Sequence, residues 1–170
     1  NPCTVTADKL KAYKRAGLNR ISFGVQSGNN EELEFLGRKH TFEKAAETIE
    51  QAVDAGFENI SCDLMIGVKG QTTEKLEQSI SQITALPVTH ISLYILKIEE
   101  NTPFGRNNTE KLLPDDDQTA QLYLCSVRML ENAGFKQYEI SNFSREGYRS
   151  RHNLKYWNCE EYIGIGPSAH

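Results

Sequence analysis

The sequence has little of what a membrane-spanning or nucleic-acid-binding protein requires. No apolar run approaches the roughly 18 residues of a membrane-spanning helix. Lysine and arginine number 19 against 23 acidic residues, so the net charge of −4 provides no overall attraction for nucleic acid or anionic lipid. No signal-peptide pattern follows Asn1, and we therefore expect a cytoplasmic protein without a transmembrane segment.

Cysteine is also scarce, with four residues in a chain of 170. Their positions are Cys3, Cys62, Cys125 and Cys159. This spacing fits neither a CxxC metal motif nor the dense disulfide framework of a small secreted domain, so we expect free or buried thiols. The remaining composition, with 38% apolar and 25% charged residues, is that of a single globular domain.

Three segments share one local order, in which an amphipathic run is followed by a glycine and then by a β-branched apolar run. Glycine closes the last turn of a helix in the left-handed conformation, so each segment predicts a helix followed by a strand. The predicted strands lie at 21–25, 60–66, 90–98 and 138–140. Further helices are predicted over 117–133 and from apolar side chains at helical spacing, which are Phe42, Ala46, Ile49 and Val53, and Leu76, Ile80, Ile83 and Leu86.

Strands that alternate with helices predict parallel pairing and an α/β fold, either part of a barrel or a doubly wound sheet. Four strands are half of an eight-stranded barrel, and a half-barrel leaves open edges that favour self-association. The chain also begins at Asn1 rather than at a methionine and stops at His170 inside a patterned segment. We therefore expect a fragment of a longer protein.

Polar residues near the carboxyl ends of parallel strands are the first candidates for a binding site. Gln26 is either a ligand-binding amide or a turn residue, and Asp63 is either functional or half of a buried structural ion pair. The guanidinium of Arg38 either clamps a carboxylate in two-pronged geometry or is solvated. The loop 67–72 either presents backbone N–H groups to an anion or forms a turn.

The tail contains a second group of candidates around His152. Its imidazole is a candidate iron ligand, and the rings of Tyr156 and Trp157 are suited to stacking on a flat ligand. Arg149 and Arg151 are suited to pairing with propionates. The alternative is a histidine that packs against aromatic side chains and binds nothing.

Together these segments resemble the oxygen-independent coproporphyrinogen III oxidase family of radical S-adenosylmethionine (SAM) proteins. The resemblance runs in order through nearly the whole chain. It is carried by residues 19–27, 36–38, Asp63 with 67–72, 138–143, 152–157 and 164–170. The HNxxYW string at 152–157 resembles the heme chaperone branch, HemW, rather than the true oxidase branch, HemN.

The resemblance implies a TIM-like barrel with a [4Fe-4S] cluster at the strand carboxyl ends, where SAM binds and is cleaved to a 5′-deoxyadenosyl radical. It assigns the ribose hydroxyls of SAM to Gln26 and Asp63. It assigns Arg38 to the methionyl carboxylate of SAM and Lys97 to the adenine side. An amide and a carboxylate suit a vicinal diol, and a guanidinium suits a carboxylate. Half of the barrel would occupy residues 1–136, and an extension would occupy 137–170.

In that family the CxxxCxxC cluster motif lies upstream of the position of Asn1, and none of the four cysteines here has its spacing. We therefore expect this polypeptide alone to form no cluster, to generate no radical and to contain no catalytic residue. The resemblance further implies heme as a cargo, held by His152 and Tyr156 and passed to a heme-accepting protein. Two alternatives are an oxidase that decarboxylates two propionates of coproporphyrinogen III, and an unrelated α/β barrel enzyme that binds a phosphorylated metabolite.

Overall fold

Three parallel strands form the centre of one open sheet in the computed structural model, which describes residues 1–164. They are β1 (Arg20–Gln26), β2 (Asn59–Ile66) and β3 (His90–Ile95). Their register places Gly24 opposite Asp63, and Asp63 opposite Ser92. The predicted α/β class is confirmed, as an open sheet and not a closed barrel. Residues 165–170, which belong to the segment 164–170 of the family resemblance, lie outside the described residues.

The helices begin and end at local signals. They are α1 (Ala7–Arg15), α2 (Asn30–Phe35), α3 (Phe42–Asp54), α4 (Thr73–Thr84), α5 (Pro103–Arg106), α6 (Asp116–Asn132) and α7 (Arg151–Trp157), with 3-10 turns at Pro2–Thr4 and Thr109–Leu112. Thr6, Thr41 and Thr72 each accept a backbone N–H in the first turn of α1, α3 and α4. The predicted glycines after α1, α3 and α6 have positive φ angles and close the last turn. Among residues 1–164, none of the helices combines the length and the apolar composition that crossing a bilayer needs.

The last predicted strand, 138–140, is wrong, because these residues form a hairpin turn. The flanking strands are β4 (Lys136–Gln137) and β5 (Asn142–Ser144). β4 follows α6 and runs in the same direction as β3, but β5 turns back and pairs antiparallel with both. The short connection between β4 and β5 permits only antiparallel pairing, which gives the strand order β1-β2-β3-β5-β4. β3 also ends at Ile95, before the predicted residue 98.

The sheet has one apolar face and one polar face. Side chains alternate along each strand, so Phe23, Cys62 and Leu93 join the core beneath the helices while the polar residues between them face the other way. α3 contributes Ile49 to this core as predicted. Val53, from the same predicted apolar set, is 41% exposed. The buried face of α3 instead contains Ala45 and Ala52, each one residue before the predicted Ala46 and Val53. The polar face of the sheet carries the candidate site.

Candidate functional site

The carboxyl-terminal end of β1 brings an amide close to a carboxylate. The side chain of Gln26 folds back over Gly24, where an added Cβ atom would lie only 2.8 Å from Gln26 Nε2. Gly24 is the register partner of Asp63 on β2. The missing side chain at Gly24 therefore leaves the space in which the amide lies beside the strand that carries Asp63.

Gln26 has an unusual backbone conformation. Its φ angle is 74°, and the register between β1 and β2 shifts between Gly24 and Gln26. A positive φ in a residue other than glycine is strained, and such strain clusters at binding sites. The residue is 8% exposed, and its Oε1 atom has no hydrogen-bond partner among residues 1–164. Because an unpaired buried acceptor is costly, this oxygen is suited to accept a hydrogen bond from a ligand.

Asp63 is half-buried in β2 and forms no ion pair with another residue of 1–164. Ser22 Oγ donates to Asp63 Oδ1 at 3.2 Å. Burial raises the pKa of the Asp63 carboxyl, and the hydrogen bond from Ser22 together with the charge of Arg20 offsets this only in part. The ion pairs of the described chain are surface pairs between lysine and glutamate. The interpretation of Asp63 as half of a structural ion pair is therefore wrong.

Arg38 lies in the loop after α2, near the same end of β1 as Gln26. Its neighbour His40 contacts β1, with Nε2 at 3.2 Å from the carbonyl oxygen of Val25. Burial lowers the pKa of His40, and the positive charge of Arg38 adds to this effect. Arg38 Nε is buried and has no partner in the part of the chain that the structure describes. The guanidinium is therefore partly desolvated, unlike that of a freely solvated arginine.

Lys97 lies beyond the end of β3. Its ammonium pairs with Glu99 at 3.2 Å, and its side chain is 83% exposed. It lines a groove of about 570 Å³ between the end of β3 and the start of α6, with Thr119 on the helix side. The structure thus brings Gln26 and Asp63 together and leaves Lys97 in a groove of its own.

A buried carboxylate that sequence reasoning missed links the loops after β1 and β2. Ser27 Oγ donates to Glu32 Oε2 at 2.6 Å, and Gln71 Nε2 donates to the same oxygen at 3.0 Å. Gln71 Oε1 accepts the N–H of Gly67 at 2.9 Å. The loop 67–72 therefore uses its first N–H internally, which favours a turn over an anion site. No sequence signal marks Glu32, which resembles any acidic residue in the first turn of a helix.

A hydrogen-bond chain at the other end of the polar face was also missed. His90 is fully buried, with Nδ1 at 2.8 Å from Ser61 Oγ and Nε2 at 2.6 Å from the hydroxyl of Tyr138. That hydroxyl accepts the N–H of Ser150 at 3.1 Å. Burial and the charge of Arg20 lower the pKa of His90 to about 4, so the ring is neutral at physiological pH. The available signal was a histidine at the head of an apolar strand.

The tail candidates lie at the amino-terminal end of the strands. α7 carries His152, which is exposed and makes a T-shaped contact with Tyr156 at 5.0 Å between ring centroids. The groove beside it is lined by Arg20 and Asn59, the first residues of β1 and β2. Along β1 this is about 20 Å from Gln26, at about 3.3 Å per residue. The predicted SAM contacts and the predicted heme ligand therefore lie at opposite ends of the sheet.

The four cysteines do not meet in the described chain. Cys62 faces the helices from β2, and its burial raises the pKa of the thiol. Cys125 is half-buried on α6, and Cys3 and Cys159 are exposed. Within residues 1–164 no three His, Cys, Asp or Glu side chains are grouped so that they could hold a metal ion. These residues do not fit a [4Fe-4S] cluster.

The chain is similar to known proteins along its whole length. The family model of the radical SAM superfamily matches residues 1–83. The heme chaperone HemW of Bacillus subtilis is 44% identical over 176 residues, and HemW of Escherichia coli is 42% identical over 170 residues, each covering 100% of this chain. The structure of the coproporphyrinogen III oxidase HemN from Escherichia coli, a radical SAM enzyme, matches 99% of this chain with a TM-score of 0.84 and 20% identity.

This chain spans less than half the length of these proteins, namely 45% and 44% of the two HemW proteins and 42% of the HemN chain. At 20% identity the likeness to HemN shows the fold alone, which is the predicted partial radical SAM barrel. The family model and the HemW relatives confirm the predicted family. Residues 1–83 thus match the radical SAM superfamily, and over its whole length the chain is similar to the HemW heme chaperones.

Proposed function

We propose that this chain is part of a cytoplasmic HemW-type heme chaperone that binds SAM at the carboxyl-terminal end of the sheet and heme beside α7. The observation that carries the proposal is the exposed imidazole of His152, in a chain whose relatives are named heme chaperones. In this proposal residues 1–136 form half of the barrel, and 137–170 form the extension that handles heme.

The chemistry of α7 supports heme as the cargo. Neither ring nitrogen of His152 takes part in a hydrogen bond with another residue of 1–164, and a neutral imidazole is a common axial ligand of heme iron. The edge-on contact with Tyr156 orients the ring without blocking it. An exposed ligand on a short helix suits a protein that passes heme to an accepting protein, because release then requires no opening of a core.

The residues at the other end of the sheet fit SAM. Gln26 Oε1 would accept a hydrogen bond from one ribose hydroxyl, and the Asp63 carboxylate would accept one from the other. Arg38 Nε would donate a hydrogen bond to the methionyl carboxylate. Lys97 would approach the adenine side from its own groove. SAM supplies one-electron chemistry when it binds next to an iron–sulfur cluster. The cysteines of residues 1–164 are not grouped to hold such a cluster.

The two alternative functions have less support. Family membership disfavours an unrelated α/β barrel enzyme that binds a phosphorylated metabolite. The oxidase alternative is disfavoured because the relatives at 44% and 42% identity are named heme chaperones, whereas the identity to HemN is 20%.

A heme titration tests the proposed function. We expect the Soret band of heme to shift and saturate at one equivalent for the unaltered chain, and this shift to be lost in His152→Ala. Lys155→Ala is the matched control, because Lys155 is exposed on the same helix and does not bind iron. Saturable binding with an unchanged Soret shift in His152→Ala would refute the assignment of the ligand.

A further inference from the structure

The groove beside α7 is lined by positively charged side chains and by no acidic side chain. Its volume is about 520 Å³, in the range of small-molecule sites. Its walls are Asn19, Arg20, Asn59 and residues 147–153. Arg149, Arg151 and His152 lie within the last segment, so three arginines and an imidazole face one space. A concave cluster of one sign attracts ligands of the opposite charge.

The arginines of this groove have no counter-ion in the described chain. All ion pairs found among residues 1–164 join a lysine to a glutamate. Arg20 is the clearest case, because its Nε atom is buried without a hydrogen bond and burial lowers the pKa of its guanidinium. The negative charge of Asp63 raises the pKa of Arg20 slightly, but the two side chains do not lie within ion-pair distance. A desolvated cation without a partner is costly, and a bound anion would relieve that cost.

Tyr138 contacts Arg149 and is itself fixed by hydrogen bonds. The guanidinium of Arg149 lies over its ring, 5.6 Å from the centroid. Burial raises the pKa of Tyr138, and the hydrogen bond from Ser150 and the charges of Arg20 and Arg149 oppose this. The hydroxyl itself is held by His90 at 2.6 Å and by the N–H of Ser150 at 3.1 Å. The groove is therefore arranged before any ligand arrives.

We propose that this groove binds the propionate carboxylates of a tetrapyrrole, with Arg20 and Arg149 as their partners. The proposal rests on the proposed function and deepens it, because His152 lines the same groove and would ligate the iron of the same molecule. Guanidinium groups bind carboxylates through two parallel hydrogen bonds. Tyr148 adds an aromatic wall, which suits a flat macrocycle better than a small inorganic anion.

Porphyrin titrations test the proposal. Metal-free protoporphyrin IX and its dimethyl ester differ in the charge of the two propionates, and neither offers iron to His152. We expect the free acid to bind at least about tenfold more tightly than the ester. Arg20→Gln and Arg149→Gln should each remove most of that difference. Arg128→Gln, which alters an exposed arginine on α6, should leave it unchanged.

Several outcomes would overturn the proposal. Equal affinities for acid and ester would do so, as would an equal loss for both ligands in Arg149→Gln. Arg149 is exposed, so this variant should fold even where Arg20→Gln does not, and circular dichroism checks both. Full displacement of the porphyrin by millimolar phosphate would assign the groove to small anions instead. A heme spectrum that is insensitive to His152→Ala, with the acid–ester difference intact, would refute the proposed iron ligand and leave the carboxylate groove standing.

Discussion

The hydroxyl oxygen of Tyr138 lies 2.6 Å from Nε2 of His90, and this contact joins the sheet to α7. Tyr138 comes from the turn between β4 and β5, and His90 from the start of β3. The same hydroxyl accepts the N–H of Ser150 before α7, and the ring lies 5.9 Å from that of Trp157 at its end. Both ends of the helix that carries His152 therefore rest on one tyrosine.

The first prediction concerns that hydroxyl. Tyr138→Phe should lower the free energy of unfolding by about 1–3 kcal/mol, because His90 and Ser150 lose a buried partner. Urea unfolding followed by the fluorescence of Trp157, the single tryptophan, measures the change. Tyr13→Phe is the control, since Tyr13 is 39% exposed. If both variants lose the same stability, the hydroxyl of Tyr138 does not support α7.

The second prediction concerns pH. Burial and the charge of Arg20 hold the pKa of His90 at about 4 in the folded chain, against 6.5 when unfolded. Between these values the unfolded state binds the additional proton, so the free energy of unfolding rises with pH through this window and falls on acidification. Full protonation should cost on the order of 3 kcal/mol, because the two pKa values differ by between two and three units.

A variant isolates this effect from that of His40, whose lowered pKa acts in the same direction, and from Asp63, whose raised pKa acts in the opposite one. Urea unfolding at about pH 5 and about pH 7 should show a smaller difference for His90→Gln than for the unaltered chain. The same difference in both would mean that His90 titrates normally.

The third prediction concerns Asp63. Asp63→Leu should leave the free energy of unfolding at neutral pH unchanged or raise it, because the carboxylate is half-buried and has no ion pair in the described chain. Ser22, which loses its acceptor, is exposed and can bind water instead. Ser22→Ala is the control for loss of that hydrogen bond alone, and urea unfolding measures both variants. A loss of about 3 kcal/mol or more in Asp63→Leu would show that the carboxylate stabilises the fold without an ion pair and would contradict this prediction.

The fourth prediction uses the space above Gly24. In Gly24→Ala the new methyl group would lie 2.8 Å from Gln26 Nε2, so the amide must move while the fold is retained. We expect SAM binding, measured by isothermal titration calorimetry, to weaken about tenfold, which corresponds to about 1.4 kcal/mol. Gln26→Ala should weaken it similarly, and the double variant should lose little more, because both changes remove the same amide. Additive losses would show that Gly24 acts independently of Gln26.

Local signals account for most of the secondary structure. The threonine caps, the glycines after three helices and the β-branched runs of β1 to β3 all act over a few residues, so they can be recognised without the fold. The strand predicted at 138–140 failed for the opposite reason. Which residues near 140 form a strand depends on pairing with the free edge of β3, which is distant in sequence and pairs with β5.

For the candidate site, too, the sequence identified residues and the fold decided how they are arranged. Gln26, Arg38 and Asp63 were identified from their sequence context and their resemblance to the family. Their relation in space depends on the register between β1 and β2 and on the bulge that turns Gln26 over Gly24. Glu32 escaped notice because its burial results from loops contributed by two different strands.

The sequence by itself determined the α/β class and the helix ends, since these follow from short-range patterns, and its resemblance to the family proposed the candidate ligands. The tertiary structure alone decided that Gln26 folds over Gly24 beside the strand that carries Asp63, that α7 lies at the opposite end of the sheet, and that Arg20 and Arg149 line one groove. These relations join residues far apart along the chain, and only the pairing of strands and the packing of the hairpin bring them into these positions.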